Sequence, residues 1–211
     1  MWLPDKEEKK KMKYTLNGLI YRGFIDPVLS SYYGKVTGEI NPGDNVLDIA
    51  SGTGSLALSI SQIAGKVTGI DLSEEMVGIA NRIAGKRDKE NIEFMLQDAS
   101  DLSLFEKNEF NVAVTSMAIH QFDPFLAERI LKEMKRIARK VIIMDYNHPI
   151  LKIIPRVVIL AIERIAGGDH YRNFRNYNSE GGLDYFIKKA GLTIRKEKLR
   201  KGATFRVVVC E

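Results

Sequence analysis

Cysteine is almost missing: Cys210 stands alone among 211 residues. A single thiol excludes an intrachain disulfide and argues against a cysteine-based metal cluster, so no metal is expected. It fits a reducing, cytoplasmic setting. The chain also lacks any run of about 18 uncharged apolar residues, so no membrane span is expected. Its first residues are charged rather than apolar, which argues against a signal peptide. No repeat or low-complexity segment is present, and the net charge is only +5. The basic clusters at Lys9 to Lys11, Lys132 to Lys140 and Arg195 to Lys201 carry no interleaved aromatics. They read as solvated faces rather than as a nucleic-acid surface. With 45% hydrophobic and 28% charged residues, the composition is that of one ordinary globular domain.

One stretch organises the rest. Val46, Leu47 and Ile49 read as a short buried strand, interrupted by Asp48, whose carboxylate is costly to bury unless something satisfies it. Gly52 and Gly54 make a turn in which backbone can approach a ligand closely. A helix over 55–64 follows, with Leu56, Ile60, Ile63 and Ala64 on one face. Its first N–H groups point at whatever lies over the turn. The next strand, 66–71, ends in Asp71, nineteen residues after Gly52. That spacing suits a carboxylate accepting from ribose hydroxyls. Asp71 as the cap of the following helix is the competing reading, and ligand binding is preferred over it.

Downstream the pattern alternates. A helix over 74–85 has Met76, Ile79, Ala80 and Ile83 inward and stops at Gly85. A third strand, 91–95, precedes Asp98. A fourth, 110–115, leads into the segment Ser116 to Phe122. A helix over 124–139 carries Phe125, Ile130, Leu131, Met134 and Ile137, and a fifth strand follows at 141–144. Asp48, Asp71 and Asp98 then line the edge of a parallel sheet where ligands bind. Residues 150–166 are apolar with interspersed charge. They read as a core helix, a lid over a lipophilic substrate, or a surface touching a membrane, with core and lid preferred. Residues 167–174 read as a polar and aromatic loop, and 179–190 as a helix. Two strands, 192–199 and 203–209, form a hairpin through Arg200-Lys201-Gly202. The fold expected is α/β, a Rossmann-like, mostly parallel seven-stranded sheet with helices on both faces and a C-terminal antiparallel hairpin. Residues 1–40 form an N-terminal helical cover segment, broken near Asp26-Pro27, and 41–211 the main domain. The first 13 residues are charged and read as frayed or loosely helical.

The run Asp48-x-Ala50-x-Gly52-Thr53-Gly54, with Asp71, Asp98 and the terminal hairpin, resembles the class I S-adenosylmethionine-dependent methyltransferases. The likeness covers roughly 40–211 and is greatest to the ubiquinone/menaquinone-biosynthesis methyltransferase-like branch. The segment Ser116 to Phe122 departs from the Arg-Asn-containing segment of that pathway's own members, which leaves the quinone acceptor open and the cofactor intact. The resemblance implies backbone at Ala50, Ser51, Gly52, Thr53 and Gly54 against the methionine and ribose. Asp48 would order the methionine ammonium or the turn, Asp71 would accept both ribose hydroxyls, and Leu72 and Met76 would pack on the adenine. Asp98 and Ala99 would sit beside the ring, and Ser116 near the reacting sulfonium.

Methyl transfer from a sulfonium is mainly positioning. A hydroxyl or acidic-carbon acceptor also needs a general base. Of three histidines, His120 is favoured as that base or as a substrate contact, because it follows the fourth strand. His170 with Tyr171, Tyr33 from the cover segment, and His148 are further substrate candidates. The expected acceptor is a small, apolar or aromatic molecule, and RNA or protein acceptors stand as alternatives. Gly52-x-Gly54-x-x-Ala57 also fits an NAD-dependent oxidoreductase. A non-catalytic module that keeps the fold is the third reading.

Overall fold

The structure is a computed structural model that describes residues 26–87, 90–150, 153–199 and 203–211. In chain order it contains α1 (Asp26–Thr37), β1 (Asn45–Ile49), α2 (Ser55–Ile60), β2 (Lys66–Asp71), α3 (Glu74–Lys86), β3 (Ile92–Leu96) and β4 (Phe110–Ser116). A 3-10 turn at Ile119–Gln121 leads to α4 (Pro124–Ile137) and β5 (Ala138–Tyr146). Three helices follow, α5 (Ile153–Ala166), α6 (Gly168–Ser179) and α7 (Leu183–Lys189), then β6 (Ile194–Lys198) and β7 (Phe205–Cys210).

The strands form one seven-stranded sheet in the order β3-β2-β1-β4-β5-β7-β6. β1 to β5 are parallel, and β7 runs antiparallel to both β5 and β6. The central strands are largely apolar because helices cover both faces: Val46, Leu47, Ile49, Val112, Ala113, Val114, Ile142 and Ile143 are all buried. The strand order reverses between β1 and β4, which opens a crevice at their carboxyl ends. Thr115 clasps that point by donating its hydroxyl to the Ile49 carbonyl at 2.9 Å. No described helix is long and apolar enough to cross a membrane.

The expected α/β sheet with its terminal antiparallel pair is present. The hairpin turn at Arg200 to Gly202, the charged residues 1–13 and the cover residues Tyr14, Leu16, Ile20, Tyr21, Phe24 and Ile25 lie outside the described residues. Within the cover segment α1 starts at Asp26, and its Tyr32 meets Phe205 edge-on at 5.2 Å.

Several local expectations need correction. Gly85 lies inside α3, which runs on to Lys86; Gly85 lacks the positive φ that lets glycine end a helix. The helix after the glycine turn ends at Ile60, four residues early, and Ile63 is 38% exposed. Phe125 is 87% exposed, because it follows the Asp123 cap and Pro124 in the first turn of α4 and points off the buried stripe. Met76 and Ile79 are only half-buried, and Ala80 and Ala84 carry the inner face of α3.

The largest miss is α6, expected as a loop over 167–174. Its asparagines and glycine are poor helix formers. His170, Phe174 and Tyr177 nevertheless recur at i, i+4 and i+7, and Phe174 and Tyr177 are buried. Burial of that stripe outweighs local propensity.

Candidate functional site

The crevice between β1 and β4 gathers the motif residues. Asp48 is 1% exposed at the end of β1, and its Oδ2 has no hydrogen-bond partner among the described residues. Burial, with Asp71 nearby, pushes its carboxyl up to about 8. Ala50 and Met117, just past the ends of β1 and β4, are both non-glycine residues with positive φ, 57° and 56°. Such strain persists only where surroundings enforce it and clusters at functional sites. Ser51 donates its backbone N–H to the Ile70 carbonyl at 2.9 Å, and its buried Oγ is also without a partner.

Asp71 closes the turn. Its Oδ2 accepts from the Gly52 N–H at 2.8 Å and its Oδ1 from the Ser73 N–H at 2.9 Å. Burial raises its carboxyl despite these donors. The cap of α3 is Ser73, whose hydroxyl accepts from the Met76 N–H at 3.3 Å. Asp71 is therefore not the cap, and each of its oxygens keeps a lone pair for a further donor.

The two glycines serve different ends. A side chain at Gly52 would meet nothing within 4 Å, so the space above it is open. A Cβ at Gly54 would lie 2.5 Å from the Phe94 ring, on a backbone with φ 78°. Gly54→Ala is expected to destabilise the chain by about 2 kcal/mol or more, from left-handed strain and overpacking together. A denaturant melt checks this, and an unchanged midpoint would contradict it.

Further out, Leu72 is 72% exposed, its apolar side chain presented to solvent. Asp98 is exposed and accepts from the Ser100 N–H at 2.7 Å, with Ala99 half-buried beside it. Thr53 is buried with its hydroxyl 3.2 Å from that of Ser55. Ser116 is half-buried at the end of β4, and Tyr33 is buried in α1.

His120 does not line an open pocket. It is 1% exposed, with Nδ1 2.6 Å from Asp145 Oδ1 and Nε2 3.4 Å from Glu163 Oε1. Its backbone N–H also donates to Asp145 Oδ2 at 3.2 Å. Burial alone would push the imidazole down, but Asp145 and then Glu163 outweigh it and raise it to about 10. Tyr146 donates its hydroxyl to Glu163 Oε1 at 2.9 Å, and Tyr177 donates to the Tyr146 carbonyl at 2.7 Å. Sequence reasoning gave Asp145, Tyr146, Glu163 and Tyr177 no role. Asp145 carried a signal, since it ends an apolar strand as Asp48 and Asp71 do.

Two buried groups thus hold their proton more tightly than in the unfolded chain, Asp48 as a neutral carboxyl and His120 as an imidazolium. Both folded values are raised, so both contributions are present at low pH and lost on the alkaline side. For Asp48 the loss runs from about pH 4 to 8, and for His120 from about pH 6.5 to 10. Without ligand, the melting temperature is expected to fall between about pH 5 and pH 10. Scanning calorimetry across that range checks it, and a rising trend would contradict it.

His148 and Tyr171 lie elsewhere: with Ile150, Leu160, Phe174 and Arg175 they line a cavity of about 720 Å³ between α5, α6 and the loop after β5. The Phe174 ring is shared, since it also packs 6.1 Å from His120.

Comparison with known proteins agrees with this geometry. Residues 46–141 match the model of a family described as a methyltransferase domain. The demethylmenaquinone methyltransferase of Lactococcus lactis is 33% identical over 117 residues, 53% of this chain and 45% of that protein. The chain thus spans under half the length of this curated relative. In fold it is similar to the PH0226 protein of Pyrococcus horikoshii OT3, with a TM-score of 0.68 at 21% identity, covering 90% of this chain and 96% of that one. It is also similar to magnesium protoporphyrin IX methyltransferase of Synechocystis PCC 6803 with bound SAH, with a TM-score of 0.61 at 17% identity, covering 100% and 89%. Sheet order, glycine turn and strand-end carboxylates agree with the family match: over residues 46–141 the chain is similar to a methyltransferase domain.

Proposed function

We propose that the chain transfers a methyl group from S-adenosylmethionine to a small acceptor with an apolar or aromatic body. The observation that carries this is the buried, unpartnered Asp48 Oδ2 beside the open space over Gly52. An ammonium group there would supply the missing donor and turn a costly carboxylate into a paired one. Asp71 would take the ribose hydroxyls on its remaining lone pairs, and Leu72, Met76, Asp98 and Ala99 would flank the adenine. When bound, S-adenosylmethionine supplies an activated methyl on a sulfonium. The chain's own task is to hold the reactants in line and keep water out.

The same observation disfavours a dinucleotide. A pyrophosphate over the glycine turn carries no donor for the unpartnered Asp48 Oδ2.

A small acceptor is supported by the aromatic rings at the carboxyl end of β5 and the amino end of β7. Tyr146 stacks on Phe205 at 5.5 Å and meets Phe174 edge-on at 5.5 Å. The relatives named above act on a quinone precursor and a porphyrin, both flat and largely apolar. We place the active domain at 41–211, with α1 as part of its cover, in the cytoplasm, where Cys210 stays a buried free thiol.

The test incubates the chain with methyl-labelled S-adenosylmethionine and three acceptors: a prenylated hydroquinone, a porphyrin carboxylic acid and bulk tRNA. Label in an extractable small molecule is expected. Label in tRNA or protein alone would contradict the small-acceptor reading.

A further inference from the structure

His120 and His170 stand 6.1 Å apart, ring to ring, on opposite sides of Glu163, and their surroundings differ. Both nitrogens of His120 face carboxylates, and the ring is sealed from solvent. A ring held in this way is a cation with no vacant lone pair, so it cannot accept a proton. His170 faces a carboxylate on one side only. Its Nδ1 lies 3.2 Å from Glu163 Oε2, and the side chain is 28% exposed. Neither atom has another hydrogen-bond partner among the described residues, and the two are close without full hydrogen-bond alignment. Nε2 sits on the far edge of the ring from Nδ1, which leaves it turned away from Glu163.

Resting on the methyltransferase reading above, we propose that His170, not His120, takes the proton from the methyl acceptor. Glu163 is its orienting partner, and His120 is a positioning residue that holds Glu163 in place. For a hydroxyl acceptor the balance is simple. The acceptor oxygen forms the new C–O bond as the S–C bond breaks, and its proton passes to Nε2 of His170. The proton then leaves to solvent along the exposed edge of the ring. The products are the methyl ether, S-adenosylhomocysteine and one proton.

The groups around His170 favour a neutral ring. Burial pushes it down, Glu163 opposes that, and the His120 cation adds to the lowering; the net shift is downward. From α5, Glu163 faces it, while Arg164 lies over the Tyr171 ring at 5.6 Å. On its own helix Asp169 is paired with Arg172 at 3.0 Å. Asp145 and Tyr146 of β5 bond to His120 and Glu163. A neutral ring with its proton on Nδ1 toward a carboxylate is the form that can act as a base.

The test follows the full chain, labelled with 15N-histidine, by long-range proton–nitrogen NMR from acid to alkaline pH, with and without S-adenosylhomocysteine. His170→Gln, at a partly exposed site, identifies the ring without threatening the fold. The expected ring titrates below the ordinary histidine value and carries its neutral proton on Nδ1. A midpoint above about pH 7, or the neutral proton on Nε2, would overturn the proposal. Glu163→Gln is expected to abolish the Nδ1 preference, and an unchanged tautomer would overturn the orienting role.

With a prenylated hydroquinone as acceptor, His170→Gln is expected to lower kcat by about 100-fold and to remove the acid limb of the pH profile. A wild-type rate would overturn the proposal. S-adenosylhomocysteine affinity is expected to stay within about twofold of wild type, which separates this failure from failure of the cofactor reading. If wild type itself does not bind S-adenosylhomocysteine, the reading beneath falls.

Discussion

Asp71→Ala is expected to weaken S-adenosylhomocysteine binding by at least about 100-fold. Two hydrogen bonds from ribose hydroxyls to a carboxylate contribute about 1.5–3 kcal/mol each, so losing both removes about 3–6 kcal/mol. The same substitution frees the Gly52 and Ser73 N–H groups that Asp71 now accepts from, at 2.8 and 2.9 Å. The glycine turn therefore loosens as the ligand loses its contact, and both effects act in one direction. Asp98→Ala is the comparison. Asp98 is exposed and already engaged with the Ser100 N–H, so a loss of about tenfold or less is expected. Calorimetric titration of both variants decides the matter, and equal losses would contradict the ranking of the two carboxylates.

The second large effect is structural. Asp145→Ala is expected to destabilise the chain by about 3–5 kcal/mol, because it strips a buried cation of its main counter-charge. Three donors lose their acceptor at once: His120 Nδ1, the His120 backbone N–H and the Tyr146 backbone N–H. Glu163 alone, at 3.4 Å, does not replace them. Asp145→Asn keeps one acceptor oxygen and the shape, so it should lose less. Urea unfolding of both variants at neutral pH is the measurement, and a loss under about 1 kcal/mol for Asp145→Ala would show that the cluster contributes little. The cluster joins β5, the turn after β4, α5 and α6, so its weakening should also loosen the two helices over the strand ends.

These two sites mark how far the sequence alone reaches. The arrangement of the glycine turn and strand-end carboxylates was legible because it is local. Asp48, the glycine turn and Asp71 lie within one strand-turn-helix-strand unit, where spacing along the chain stands for distance in space. The cluster around His120 was not. Glu163 reads as one charge in an apolar helix, and only folding brings it to His120, more than forty residues earlier. His120 itself was placed correctly after the fourth strand, but its protonation depends on Asp145 and Glu163, which spacing does not pair with it. The α6 stripe of His170, Phe174 and Tyr177 was visible as a period, yet its asparagines suggested a loop. The two positive-φ residues, Ala50 and Met117, are set by turn geometry that residue type alone hides.

The central claim is that Asp48, whose Oδ2 has no partner among the described residues, receives the ammonium of an adenosyl sulfonium or its demethylated product. Isothermal titration with S-adenosylhomocysteine at neutral pH, in two buffers of different ionisation enthalpy, tests it most directly. Micromolar binding is expected, with buffer-dependent heat, because a carboxyl raised to about 8 gives up its proton to the buffer as the ammonium arrives. Methylthioadenosine, which lacks the ammonium, should bind more weakly and release no proton. Absence of binding heat with S-adenosylhomocysteine in both buffers would contradict the account.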